Sequence, residues 1–316
     1  MWQAGLTSKK IVFIVNPIAG NGLTGRKWPL IHAMARDRLG SFTSYLTTQP
    51  WDAMRITRKN LMEGAEVIVC VGGDGTLNEV INGFMSLEQT IQTGASLGFV
   101  PHGTGCDFIR TVPIPAKIEQ SLDTIKEGHV SEIDLGRLQY HDHQNFLKTR
   151  YFHNIISFGL GGEVDDRVNR SNKVLGPFIS FFWSALVSIF FYGKKSIRLK
   201  VDDLFDDEVI TWNVAVANGQ YHGGGMRIAP DASTNDGLFH ITVVGDLSLT
   251  EVLWNFPKLY NGRIKDIRNV LFLTGKKVEA SSEQRVLLDV DGEQPGHLPV
   301  VIDIVPAALH MITKKS

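Results

Sequence analysis

The sequence predicts an α/β + β protein, with an N-terminal doubly wound nucleotide-binding domain followed by a C-terminal β-sandwich domain. Three observations point there. Short apolar runs alternate with helical patterns up to residue 126, the signature of a parallel sheet covered by helices. A glycine turn built around one carboxylate, Gly72-Gly73-Asp74-Gly75-Thr76, separates an apolar run from a helix-like pattern. From residue 135 onward the chain is mostly strand-like segments with Gly and Asn turns.

In chain order, the continuous apolar run at residues 11–15 reads as a strand buried on both faces. The turn Asn16-Pro17-Ile18-Ala19-Gly20-Asn21-Gly22 suits either a nucleotide or a plain βα connection. Residues 20–27 approach a Walker A loop, but Arg26 stands where that loop needs lysine and Lys27 where it needs Ser or Thr, so that reading is rejected. Helical patterns at 28–39 and 53–63 flank a weak strand at 42–47, and the central strand follows at 67–71. The glycines after it allow positive φ and close approach of backbone N–H groups to an anion, and the next helix adds its positive end. Asp74 would repel phosphate without an intervening cation, which argues for phosphate with Mg²⁺. After a strand at 97–100, the loop at 101–110 repeats the design with Gly103, Thr104, Gly105 and Asp107. His102 within it reads as an acid or base, or as an ordinary loop histidine. A helix at 116–126 closes this half. In such folds, ligands sit at the carboxyl ends of the strands.

The texture changes at residues 132–136, which places a hinge near 130–137. The expected domains are 1–134, a nucleotide-binding α/β unit, and 135–316, a β-rich lipid-binding unit whose last strand is free to return to the first. Strand-like segments lie at 151–157, 197–201, 209–217, 238–244, 271–273, 286–290 and 300–305. One stretch differs: residues 174–192 hold no charge, five phenylalanines and Trp183, with Ser180, Ser184 and Ser188 recurring every fourth residue. On a helix this leaves one narrow polar stripe. Gly176-Pro177 at its start argues against a membrane span and leaves a core helix or one bordering a lipid-binding surface. Lys194, Lys195, Arg198 and Lys200 then suit anionic headgroups.

Lys and Arg total 32 against 33 Asp and Glu, so no global field favours nucleic acid and any membrane attraction must be local. Cys70 and Cys106 make neither a disulfide framework nor a zinc set, which fits a reducing cytosol. Residues 1–10 lack the apolar core of a signal peptide, and the chain is expected inside the cell.

Several motifs in order resemble the diacylglycerol-kinase-like lipid kinases, a family that includes the sphingosine kinases and soluble, membrane-visiting bacterial enzymes. They are the Gly-Gly-Asp-Gly-Thr-Leu-Asn-Glu-Val-Ile-Asn-Gly run within 71–84, and Gly103-Thr104-Gly105-Cys106-Asp107-Phe108. Asn218-Gly219 with Gly223-Gly224-Gly225, Ala229-Pro230-Asp231 leading to Asp236-Gly237-Leu238, and Asp291-Gly292-Glu293 complete the set. NAD kinases and phosphofructokinases share the first motif alone; five in sequence are specific.

The resemblance implies an active site between the two domains. ATP contacts map onto Asn16, Pro17, Ile18, Ala19, Gly20, Thr47, Gly73, Asp74, Gly75, Thr76, Leu77, Asn78, Glu79 and Thr104. Asp74, Asp107 and Asp134 correspond to aspartates in a water-linked network around catalytic Mg²⁺. Ser233, Asp236 and Leu238 correspond to a structural Mg²⁺ site, the outer two through backbone carbonyls. The general base falls on Asp291 or Glu293. Implied partners are a lipid substrate, diacylglycerol first, and transient contact with the inner membrane face from the cytoplasm; nucleic acid is not implied, and oligomerisation is left open. Ala19 stands where many members have Ser and Cys106 where most have Asn, each removing a polar group beside the nucleotide. The competing readings are a soluble NAD or sugar kinase of the same superfamily, and a catalytically inactive nucleotide-binding lipid sensor.

Overall fold

The computed structural model describes residues 9–85, 94–163 and 192–315. The chain divides into two units, one of residues 1–133 with 307–316 and one of residues 134–306. In the first, β1 (Ile11–Val15), α1 (Leu23–Leu39), β2 (Thr43–Leu46), α2 (Asp52–Met62), β3 (Val67–Gly72), α3 (Asp74–Phe84), β4 (Ser96–Pro101) and α4 (Ile118–Glu127) alternate as the apolar periodicity requires. The strands run parallel in the order β2-β1-β3-β4, with Phe13 beside Val69 and Val69 beside Gly98, and Met311 pairs parallel with Leu97. Every residue of β1, β3 and β4 is buried, the outcome expected of continuous apolar runs covered on both faces.

The helix α1 starts at Leu23 rather than at residue 28 because Gly25 and Pro29 weaken the helical signal without ending the helix. Gly25 is required there: a Cβ would meet the Pro17 carbonyl oxygen at 2.9 Å. Sequence order along the sheet reverses between β1 and β3, so the loops following these two strands open at the switch point.

The second unit begins within β5 (Val130–Asp142), a continuous strand across the 130–137 segment where a hinge was expected. It continues with β6 (Leu147–Phe152), β7 (Ile155–Gly159), β8 (Lys195–Val201), β9 (Phe205–Thr211), β10 (Asn213–Ala217), β11 (Tyr221–His222), β12 (Met226–Arg227) and β13 (Phe239–Val244). Then come α5 (Leu249–Tyr260), β14 (Val270–Gly275), β15 (Lys277–Ser281), β16 (Leu288–Val290) and β17 (Gly296–Ile312). One sheet runs β14-β13-β10-β7-β16. The other brings β15 between β17 and β8, with β9 outside β8. Phe158, Val214, Val216 and Ile241 of the first sheet pack with Ile197, Leu199, Val278 and Ile302 of the second, and Phe152 stacks on Phe239 at 5.7 Å. This is the expected sandwich.

Three local expectations are revised. The segment 151–157 is two strands broken at His153 and Asn154, whose N–H groups turn onto a side chain described below. The segment 209–217 is β9 and β10, which join different sheets; Trp212 between them donates its indole N–H to Leu247 O at 2.9 Å. Helix α5 was not anticipated in a β-rich half, although Ser248 and Glu251 form a capping box and spell out its S-x-x-E signature. The apolar residues 174–191 lie outside the described residues. Among those described, no helix is long and apolar enough to cross a membrane.

Helices α2 and α3 touch at Gly83, where a Cβ would lie 2.4 Å from the Thr57 Cβ and 2.8 Å from the Met54 carbonyl oxygen. Gly83→Ala is expected to lower unfolding free energy by about 1–3 kcal/mol, read by chemical denaturation, despite alanine's higher helix propensity.

Candidate active site

Three loops of the first unit meet at the switch point. Asn16 donates its backbone N–H to Val71 O (3.0 Å) and its amide to Thr76 Oγ1 (2.9 Å), while its Oδ1 accepts the Ile18 N–H (3.1 Å), tying the loop after β1 to the start of α3. His102 N–H reaches Gly72 O at 2.7 Å, and a Cβ on Gly103 would stand 2.3 Å from the Gly73 Cα. Glycine is therefore obligatory at 103, and Gly73 has little room to spare where these backbones pass. Buried Thr24 joins the third pair of loops: its hydroxyl donates to His102 O (2.7 Å) and contacts His102 Nδ1 (2.8 Å). With the hydroxyl proton given to the carbonyl, the ring contact requires Nδ1–H, leaving Nε2 as the acceptor. Burial, and then the Lys27 ammonium, lower the His102 pKa and favour this neutral ring.

Helix α3 begins at Asp74, so its first N–H groups face the same loops, as an anion site requires. Asp74 Oδ2 accepts the Asp107 N–H at 2.9 Å, and Gly105 passes close to the carboxylates of both. Arg110 Nε lies 3.2 Å from Asp107 Oδ1. Mg²⁺ in phosphoryl-transfer sites takes one or two carboxylates together with substrate phosphates, and Asp74 and Asp107 are the two carboxylates that these loops bring together. Among the described residues no group of three or more His, Cys, Asp and Glu is placed to hold a metal alone.

The other residues expected near nucleotide divide by role. Gly20 has φ 59°, Ile18 is 78% exposed, and Pro17 O and Asn16 O take the N–H groups of Gly25 and Ala19. Thr47 follows β2 and donates its N–H to Val15 O. Thr104 and Gly105 are exposed, whereas Thr76, Leu77 and Asn78 are buried. Glu79 Oε2 accepts the Ala53 N–H (3.1 Å), capping α2, whose own N-cap Trp51 supplies no side-chain bond.

In the second unit Asp134 is buried, takes the Gly237 N–H on Oδ2 (2.7 Å) and sends its own N–H to Thr234 O (2.7 Å). It thereby braces the turn containing Asp236. There Asp236 Oδ1 accepts the Leu238 N–H (3.0 Å), Oδ2 meets His240 Nε2 (3.1 Å), and Ser233 Oγ donates to Asn235 Oδ1. An oxygen set of this kind suits a hard cation, with His240 as the group it would displace.

Asp291 and Gly292 form a two-residue hairpin turn with φ of 50° and 84°, closed by Val290 N–H to Glu293 O and Glu293 N–H to Val290 O. Asp-Gly is the pair that tolerates two positive φ values. The Asp291 side chain, 1% exposed, accepts the N–H groups of His153 (3.1 Å), Asn154 (3.1 Å) and Ile155 (3.0 Å) and lies 2.7 Å from His153 Nδ1. Glu293, 42% exposed, meets the Arg150 guanidinium at 2.7 Å. Asn218 donates to both Asp134 O and His153 O, linking the two acidic turns. Sequence reasoning missed Arg150 and His153, which belong to no motif, and did not single out Thr24. The four basic residues expected to face headgroups are matched locally: Lys194 with Asp246, Arg198 with Asp206, Lys195 over the Tyr192 ring and Lys200 opposite Glu279.

Two family models account for most of the chain. The diacylglycerol kinase catalytic domain matches residues 10–138, and the YegS C-terminal NAD kinase beta sandwich-like domain matches residues 154–313. The chain belongs to the diacylglycerol kinase family. A Staphylococcus saprophyticus protein named diacylglycerol kinase is 29% identical over 294 residues, covering 92% of this chain and 91% of its own length. A Bacillus anthracis crystal structure provisionally assigned as a diacylglycerol kinase superposes with a TM-score of 0.77 at 23% identity, covering 99% of this chain and 98% of that one. Yeast NADH kinase shares the fold at a TM-score of 0.55 and 12% identity, covering 100% of this chain and 85% of its own.

Cys106, where the resemblance has Asn, holds φ 49°, a left-handed value that Asn tolerates better than Cys. Burial, and then the Asp74 carboxylate, push its thiol up to about 12. At pH 8 only about one molecule in ten thousand then carries the thiolate, so iodoacetamide labelling of Cys106 in the native protein is expected to be slow and to rise steeply toward pH 11. Cys106→Asn is expected to raise unfolding free energy by about 1 kcal/mol in chemical denaturation.

Proposed function

We propose that this protein is an ATP-dependent lipid kinase that transfers the γ-phosphate to a lipid hydroxyl, with diacylglycerol as the acceptor. The pairing of Asp74 with Asp107 beside the N-terminus of α3 carries the reading, because it puts two carboxylates next to the positive end of a helix in a loop that would otherwise suit an anion alone. The names of the relatives support the lipid, and the acceptor's location implies transient contact with the cytoplasmic membrane face.

In this reading the donor phosphates lie against the loops after β1 and β3 and the N-terminus of α3, with Asn16 and Thr76 fixing the two loops against each other. Asp74 and Asp107 would hold Mg²⁺, which would supply charge neutralisation on the phosphates; the resemblance adds Asp134 to the same network. Glu293 takes the proton of the acceptor hydroxyl as that oxygen bonds to the γ-phosphorus and the bond to the departing ADP oxygen breaks. Glu293 is the stronger candidate for base because Asp291 is enclosed by three N–H groups and His153. Ser233, Asp236 and Leu238 would hold a second Mg²⁺, which would stiffen the turn that Asp134 braces.

Glu293→Gln is expected to lower kcat by about 10²–10⁴ and to lower the melting temperature less than Asp291→Asn does, since the glutamine amide oxygen can still accept from the Arg150 guanidinium. Asp291→Asn is expected to lower the melting temperature, because one acceptor oxygen is replaced by a donor facing buried N–H groups. Equal loss of stability in both variants would remove the distinction between base and brace. Incubation with labelled ATP and a panel of diacylglycerol, monoacylglycerol, phosphatidylglycerol, sphingoid base, NAD and sugar phosphates tests the substrate. Label on diacylglycerol is expected; label on NAD alone supports the soluble kinase, and ATP binding with no labelled product supports the inactive sensor.

A further inference from the structure

Beside the Asp-Gly-Glu turn the second unit buries a guanidinium. Arg150 lies on β6 opposite Leu138 of β5, with its side chain 4% exposed, and its Nη2 stands 2.7 Å from Glu293 Oε2. Tyr140, two residues further along β5, is buried near both charges, and burial pushes its phenol pKa up. An arginine removed from water persists where its charge is matched and its stem is packed, so its position is set by the β5–β6 pair rather than by solvent. Glu293 is different: it is 42% exposed, at the end of a two-residue turn, with three side-chain torsions. Left to itself it would spread over several rotamers, and a general base needs one.

We infer that Arg150 is a positioning residue for the phosphoryl-transfer reaction. It holds Glu293 Oε2, selects a single rotamer and leaves Oε1 to accept the hydroxyl proton. The inference rests on the reading of Glu293 as base. Arg150 touches neither the donor nor the acceptor in this account; it acts through the carboxylate it orients. A fork-shaped cation on a packed stem suits this better than lysine, which would keep the charge but not the direction.

A double-mutant cycle on the full chain tests it, with kcat and KM for ATP and diacylglycerol in mixed micelles and a melting curve for each protein. Arg150→Met is expected to lower kcat about 10–100-fold with KM for ATP unchanged within about twofold. In the Glu293→Gln background the same change is expected to have no further effect on kcat, because the group it orients can no longer take a proton. Arg150→Lys keeps the buried charge, is expected to melt like the wild type, and should recover about half of the lost kcat on a logarithmic scale. It also stands in for Arg150→Met if that variant does not fold. Equal fold-losses in both backgrounds, or wild-type kcat in Arg150→Lys and Arg150→Met alike, would overturn the positioning role while leaving Glu293 as base. Wild-type turnover in Glu293→Gln would instead overturn the base reading and the inference with it.

Discussion

The second unit is organised by one carboxylate. Asp291 collects three consecutive backbone N–H groups, from His153, Asn154 and Ile155, and a buried imidazole. Those N–H groups would otherwise belong to a strand ladder, and diverting them is what ends β6 and starts β7. The same side chain sits at the first position of the hairpin turn, so the break in one chain segment and the turn in another are a single structural event. Asn218 then bonds the carbonyl of His153 to that of Asp134, carrying the brace across to the Asp236 turn.

The first unit relies on a steric constraint rather than a charge. Gly73 and Gly103 pass so closely that the loop after β4 could not carry a side chain at 103, and Gly72 is held against the Thr76 side chain at a similar distance. Close passage lets Asp74 reach the Asp107 N–H, and it joins the loops after β1, β3 and β4 through backbone and side-chain bonds. Glu79, expected at nucleotide, spends one carboxylate oxygen on the first turn of α2. Its place in the motif therefore has a folding explanation.

Much of this was legible in the residues because its causes are local. The runs of β1 and β3 need burial on both faces, Asp-Gly before Glu needs two positive φ values, and glycines around Asp74 need open backbone; each leaves its mark within a few residues. The breaks at His153 and Trp212 were not legible, since their causes sit far along the chain, at Asp291 and Leu247. Arg150 escaped for the same reason: an arginine in the Lys-Thr-Arg-Tyr strand pattern reads as solvated until Glu293 is seen beside it. The capping box of α5 is a different case, a local signal in the stretch between the strand-like segments 238–244 and 271–273 to which no element was assigned.

Two acids flanking one glycine in a tight turn end in opposite environments, and that contrast underlies the proposed division between them. A carboxylate that accepts three N–H bonds is held in place by the backbone around it, so its oxygens serve to fix structure. A carboxylate that is half-exposed and bonded on one oxygen retains a free direction for a proton. The Asp-Gly turn converts alternation along the chain into this division: Asp291 points into the fold, the glycine reverses the backbone, and Glu293 emerges beside the Arg150 guanidinium. Exchanging the two residue types would place the longer side chain where three N–H groups converge at a fixed distance and the shorter one out of reach of Arg150. The order Asp-Gly-Glu, rather than the mere presence of two acids, is what the geometry requires.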